Sequence, residues 1–300
     1  MSSTPHVQAE IDSQPACWQR AAELAPSVSG RLPQAGERVA VVGCGTSWFM
    51  AQAYAGQRER YGLGETDAFV ASEFPLKRRY DRLVAITRSG TTSEVLDVLA
   101  AIRGEMPTVA ITADPETPIA NLTDELVVLD FADEKSVVQT RFATSALALL
   151  RTHIGDDLSA IHAQAERALT DSVDPALTAQ QQFVFLGQAW TVGLANEAAL
   201  KMREASLSWA ESYPAMDYRH GPISLADQNG VVWFLGGQSP AGLIDEVGAT
   251  GALVVADDVD PMVDLVRVQR LAVTLGLKKG LDPDRPRNLD RSVVLETGKR

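Results

Sequence analysis

The chain reads as an α/β protein built from parallel sheets with helices on both faces, and three observations predict this. Short β-rich runs at 39–42, 68–70, 83–87, 108–112 and 126–129 are separated by helix-length segments such as 47–62 (SWFMAQAYAGQRERYG) and 93–104 (SEVLDVLAAIRG). The runs are apolar without interruption, as expected of strands covered on both faces. After a helical stretch over 142–169, the same alternation restarts at 183–186, 231–235 and 253–256. Residues 39–55 (VAVVGCGTSWFMAQAYA) and 182–200 (QFVFLGQAWTVGLANEAAL) each read as strand, glycine, helix, so the chain holds two similar halves. The expected organisation is a helix and Gly/Pro linker over 1–36, a first α/β unit over 37–178, and a second over 179–300. The second ends in a Pro- and charge-rich tail that lies extended on the body.

The bulk composition narrows the function classes. A chain of 300 residues with 45% apolar content can bury a large core. A net charge of -12 without any block of lysines or arginines argues against nucleic acid or an anionic membrane as partner, so an anionic substrate needs a local electropositive pocket. Cys17 and Cys44 are too few for a disulfide framework or a cysteine zinc site, and His6, His153 and His162 have no partners at metal spacing. The start, MSSTPHVQAEIDSQP, lacks the charged and apolar regions of a signal peptide, and no stretch approaches the ~20 apolar residues of a membrane span. A cytoplasmic protein is expected.

In parallel α/β sheets ligands bind beyond the carboxyl ends of the strands, so the strand-to-helix turns come first. Gly43-Cys44-Gly45-Thr46-Ser47 follows the first run, and Arg88-Ser89-Gly90-Thr91-Thr92-Ser93-Glu94 follows the third. Both join small residues to hydroxyls at a helix N-terminus, where unpaired amides and the helix dipole favour an anion. Such hydroxyls also serve as ordinary helix caps. Two such turns with Arg88 between them point toward phosphate, although neither has P-loop or dinucleotide-binding spacing. In the helix read over 196–212 (NEAALKMREASLSWAES), Glu197, Lys201 and Glu204 fall at i, i+4 and i+7 on one face. A carboxylate beside an ammonium in a half-buried cleft can act as a general base, while an amphipathic helix with a surface ion pair would look the same. His220, in Tyr218-Arg219-His220-Gly221-Pro222, lies in a loop sixteen positions further on.

Taken together, GCGTS, TRSGTTSE, EAALKMREASLSWAESYPAMDYRHGPISL and RPRNLDRSVVLE resemble the sugar isomerase (SIS) family, in particular the isomerase half of glucosamine-6-phosphate synthase, over about residues 12–296. The resemblance implies two tandem SIS subdomains, each a flavodoxin-like, five-stranded parallel sheet flanked by helices. It also implies a homodimer whose subunits complete each other's active sites, with no metal or organic cofactor. Thr46 and Ser47 then match the first ligand turn, and Thr87, Ser89 and Thr92 the hydroxyls that hold phosphate. Glu204 matches the carboxylate that moves the proton between C1 and C2, with Lys201 and Glu197 as its neighbours. His220 matches the partner-supplied histidine that assists ring opening.

Several positions depart from that pattern. No glutaminase segment precedes the first half in this sequence, so ammonia production from glutamine is not expected. Arg88 stands in place of a glutamine, an added charge beside the phosphate hydroxyls. In DEKSVVQTRFATS, which carries the sugar-contacting Val137, Gln139 and Arg141 replace a serine and a lysine. Arg291 replaces the tail lysine that helps ring opening, and a guanidinium neither forms a Schiff base nor readily shuttles a proton. The expected chemistry is C2 proton abstraction from a 6-phosphorylated amino sugar by an isomerase or deaminase. Elimination of the C3 hydroxyl from N-acetylglucosamine 6-phosphate is the alternative, and a non-catalytic sugar-phosphate sensor a third class.

Overall fold

The structure is a computed structural model that describes residues 4–295. The chain forms two compact units, 16–158 with the tail from Leu289, and the N-terminus to Pro15 with 159–288. The sequence-based boundaries at 36/37 and 178/179 differ from this grouping. The N-terminal helix His6–Asp12 belongs with the second unit, where the backbone amides of His6 and Val7 donate to the Asp284 carboxylate at 2.8 and 2.7 Å.

The first unit is a five-stranded, all-parallel sheet in the order β2-β1-β3-β4-β5, with β1 Val39–Gly43, β2 Thr66–Val70, β3 Arg82–Ile86, β4 Thr108–Thr112 and β5 Glu125–Val128. Every residue of β1 and β4 is buried, whereas the edge strands β2 and β5 are largely half-exposed. Continuous apolar strands lie in the middle because both of their faces are covered. Val95, Val98 and Leu99 of the helix Ser93–Ala101 pack on Ala40, Leu83 and Ala110 to form the core on one side. Trp18 is buried, with its indole N–H donating to Thr144 at 2.8 Å.

The second unit is also all-parallel, in the order β7-β6-β8-β9, with β6 Gln182–Gly187, β7 Trp209–Pro214, β8 Gly230–Phe234 and β9 Leu253–Val255. It follows the order of the first sheet but has four strands instead of the expected five. After β9 the chain enters the helix Pro261–Lys278, and the described residues beyond it form no strand. No helix of the described residues is long and apolar enough to cross a membrane.

Three helical readings need correction. The helix expected over 196–212 ends at Ser206, where Leu207 takes a left-handed φ of 50°. The Ser206 hydroxyl turns back to the Met202 carbonyl at 2.6 Å, and the chain continues as β7. The stretch over 142–169 is two helices, Arg141–His153 and Ile161–Thr170, parted at Gly155 with φ 88°. The N-terminal helix is likewise two, His6–Asp12 and Gln14–Val28.

The two units repeat one local device. A Cβ on Gly43 would lie 2.7 Å from the Ser47 backbone carbon, and one on Gly187 would lie 2.5 Å from the Thr191 backbone. Each glycine lets the following helix start hard against its strand. The residue two positions later has a positive φ in both units, 54° at Gly45 and 48° at Ala189.

Two expected outcomes follow. Gly43→Ala must push the Thr46–Arg60 helix off β1, costing about 1–3 kcal/mol in urea unfolding. Asp264, fully buried, accepts from the Gly236 amide at 2.7 Å and from Arg267 at 2.8 Å. Burial pushes its carboxyl up to about 6 despite the opposing pull of Gly236 and Arg267. The folded state therefore binds this proton more tightly than the unfolded state, and the associated stability is lost as pH rises from about 4 through about 6. Relative to Asp264→Asn, the wild type should lose on the order of 2–3 kcal/mol between pH 4 and pH 7 in urea titrations.

Candidate functional site

In the first unit, Thr46 and Ser47 open the Thr46–Arg60 helix beyond β1 and are buried there. Thr87, also buried, continues past β3, with its amide donating to the Ile111 carbonyl at 3.0 Å. Ser89 and Thr92 follow, immediately before the Ser93–Ala101 helix, with their hydroxyl oxygens 3.5 Å apart. Gly90 takes a φ of 61°, and a Cβ there would lie 2.0 Å from the Thr117 hydroxyl, so the turn must be glycine.

Arg88 is buried, and its guanidinium has a different orientation from the one expected of a phosphate ligand. It donates to the carbonyls of Ser136 and Val137 at 3.1 and 3.3 Å and to the Arg291 carbonyl at 2.9 Å, and lies 3.6 Å from the buried Glu134 carboxylate. Its charge is offset by Glu134, and its donors hold the 134–137 segment and the tail. The other oxygen of Glu134 accepts from the Thr140 amide and hydroxyl at 2.5 and 2.8 Å and from the Arg141 amide at 2.9 Å. Arg291 in turn binds Asp133 at 2.5 Å and the Glu134 carbonyl. Arg141 donates to the Asp133 carbonyl at 3.0 Å.

Arg88, Ser89, Thr92, Val137 and Arg291 thus share one neighbourhood with Glu134, Thr91 and Ser292, which sequence reasoning did not single out. Ser89 and Thr91 both donate to Ser292, at 3.1 and 2.9 Å. Thr91 sits inside the hydroxyl turn quoted from the sequence. No local signal ties Ser292 or Glu134 to that turn, because those contacts span 201 to 203 positions and 46 positions respectively.

In the second unit, the helix Thr191–Ser206 carries Glu197, Lys201 and Glu204 as one row. The ammonium of Lys201 lies 3.3 Å from Glu197 and 2.5 Å from Glu204. The Glu197 and Lys201 side chains are 1% exposed and that of Glu204 is 17% exposed. Burial pulls the Lys201 pKa down, but the two carboxylates outweigh it and the net shift is upward, so the lysine stays charged. One carboxylate partly open to solvent, steadied by a permanent cation, is suited to taking and returning a proton.

His220 lies on a separate loop at the exposed end of the 3₁₀ turn Asp217–His220. That loop is fixed by Arg219, which binds both oxygens of Glu246 at 2.8 Å and the Ala241 carbonyl at 2.7 Å. Buried Tyr218 anchors it from beneath.

The chain matches no family model. It is similar to the isomerizing glutamine–fructose-6-phosphate aminotransferase of Bacillus subtilis, 28% identical over 96% of this chain and 58% of the relative. The enzyme of the same description from Sulfurisphaera tokodaii is 26% identical over 87% of this chain and 50% of that protein. The chain therefore spans only about half the length of these curated relatives. Among solved structures, a glucosamine-6-phosphate deaminase from Thermotoga maritima superposes with a TM-score of 0.78 at 25% identity, covering 97% of this chain and all of that one. The tagatose-6-phosphate ketose/aldose isomerase of Escherichia coli gives 0.79 at 18% identity with full coverage of both, a likeness of fold. The chain is a homologue of the isomerase region of these aminotransferases and has the α/β fold of SIS-type phosphosugar isomerases.

Replacing Lys201 with methionine leaves the carboxylate of Glu197 buried without its cation. K201M should lower stability by about 3–5 kcal/mol, and the E197Q K201M double variant should recover much of that loss in thermal unfolding.

Proposed function

We propose that the chain is a sugar-phosphate enzyme that abstracts the C2 proton of a 6-phosphorylated amino sugar, with an outcome of the aldose–ketose isomerase or deaminase type. The observation that carries this reading is the Glu197–Lys201–Glu204 row, in which Glu204 alone is partly open. Similarity to the Thermotoga maritima glucosamine-6-phosphate deaminase supports the amino-sugar class, and similarity to the curated aminotransferases supports a hexose 6-phosphate.

In this reading the phosphate is held by Ser47, Thr87, Ser89 and Thr92 and by the amides that open the Ser93–Ala101 helix, hydroxyl and amide donors that suit an anion. Thr46 shapes the first turn. Arg88 acts indirectly, holding the 134–137 segment and the tail. Glu204 takes the proton next to the carbonyl of the open-chain sugar and returns it at C1, with Lys201 keeping the carboxylate oriented and Glu197 keeping Lys201 charged. Exposed His220, on its braced loop, assists ring opening in the active site of a second subunit of a homodimer.

Arg291 favours a second outcome from the same intermediate. Its guanidinium is bound to Asp133 and Glu134 and forms no Schiff base, so loss of the C3 hydroxyl from N-acetylglucosamine 6-phosphate competes with isomerisation.

The test is NMR in D₂O with glucosamine 6-phosphate, N-acetylglucosamine 6-phosphate and fructose 6-phosphate. Wild type should place deuterium at C1 or C2 of one of them, and Glu204→Gln should slow that exchange by ~10²–10⁴-fold with little change in substrate affinity. The product signals separate ketose formation from water loss. Equal exchange by the variant would remove Glu204 from the role of base.

A further inference from the structure

The tail crosses the hydroxyl turn of its own unit with Ser292 at the centre. The Ser292 hydroxyl oxygen accepts from Ser89 at 3.1 Å and from Thr91 at 2.9 Å, and lies 3.4 Å from the Thr92 hydroxyl. Several hydroxyl donors converging on one oxygen is the arrangement a phosphoryl oxygen requires. The next residue repeats it. The amide of Ser93, first in the Ser93–Ala101 helix, donates to the Val293 carbonyl at 3.1 Å. An amide at that position is one of the donors a helix start offers an anion. With Ser292 and Val293 seated, these hydroxyls and this amide are all committed to the tail.

We propose that the tail is a built-in competitor for the substrate phosphate, with the Ser292 hydroxyl and the Val293 carbonyl standing where phosphoryl oxygens bind. The phosphate enters as residues 292–293 withdraw. This rests on the reading above that the Ser89–Thr92 turn holds the substrate phosphate.

The attachment of the tail is suited to such an exchange. It is held by polar bonds, including the Arg88 guanidinium on the Arg291 carbonyl at 2.9 Å and the Leu295 amide on the Ser93 hydroxyl at 2.8 Å. Leu289, Val293, Val294 and Leu295 are already substantially exposed, so withdrawal uncovers little further apolar surface. A phosphate dianion forms charge-assisted bonds about twice as strong as those of a neutral hydroxyl or carbonyl, which lets it displace both. Arg88 and Asp133 hold Arg291 from either side, marking it as the point about which residues 292–293 turn.

The experiment uses the full chain, with inorganic phosphate and glucose 6-phosphate as probes. Affinities are measured by calorimetry for wild type, Ser292→Ala and the S89A T92A double variant, and trypsin cleavage after Arg291 is timed with and without phosphate. Removing the competing hydroxyl should tighten binding of both probes by about threefold to tenfold. Saturating phosphate should speed cleavage after Arg291 in the wild type. Weaker binding by S292A would make Ser292 a phosphate ligand and overturn the proposal, as would unchanged affinity or a cleavage rate indifferent to phosphate. If S89A T92A binds both probes as tightly as wild type, the turn is not the phosphate site and the functional reading itself fails. Absence of binding by wild type and S292A alike at millimolar probe counts against both.

Discussion

Burying the Arg88 guanidinium against Glu134 is the constraint on which the loop over 134–141 and the tail of the first unit depend. Two charges taken out of water must satisfy each other and saturate their remaining donors and acceptors, or the fold loses several kcal/mol. Here the requirement is met by recruiting backbone. Arg88 takes the carbonyls of Ser136, Val137 and Arg291, and Glu134 takes the amides of Thr140 and Arg141 together with the Thr140 hydroxyl. One side chain after β3 thereby ties down the loop before the Arg141–His153 helix and the tail. With Arg88 offset by Glu134, the charge left in the hydroxyl turn is that of the Glu94 carboxylate.

The second unit handles buried charge differently. Its row is linear along one helix, two carboxylates about one ammonium, with the Arg203 guanidinium interacting with both carboxylates as well. Of the two carboxylates, Glu204 is the one partly open to solvent. The asymmetry along the row sets the one carboxylate that solvent reaches apart from the two buried groups beside it.

Much of this was legible from spacing. The strand β4 coincides with the expected run because its apolar Val-Ala-Ile centre is flanked by β-branched threonines and every position is buried, and the carboxylate–ammonium row follows from i, i+4, i+7 positions that any helix brings to one face. β7 was missed because the adjacent Glu211 and Ser212 interrupt Trp209–Pro214, and because the helix before it stops at Leu207, where no glycine announces the left-handed turn. The charge of Arg88 is visible in the sequence but its direction is not, since the partner carboxylate lies 46 positions away. Ser292 is still less accessible to local reasoning, because its significance depends on three hydroxyls about 200 positions earlier.

The positive φ shared by Gly45 and Ala189 shows how strictly the two units specify backbone shape at that turn. For glycine the conformation is nearly free of cost, while for alanine it carries about 1–3 kcal/mol of local strain that the surrounding packing must absorb. The second unit retains the bend without the residue that makes it easy. Geometry there outlasts chemistry, so a comparison of the halves by residue type underestimates their kinship, and a comparison by dihedral angle recovers it.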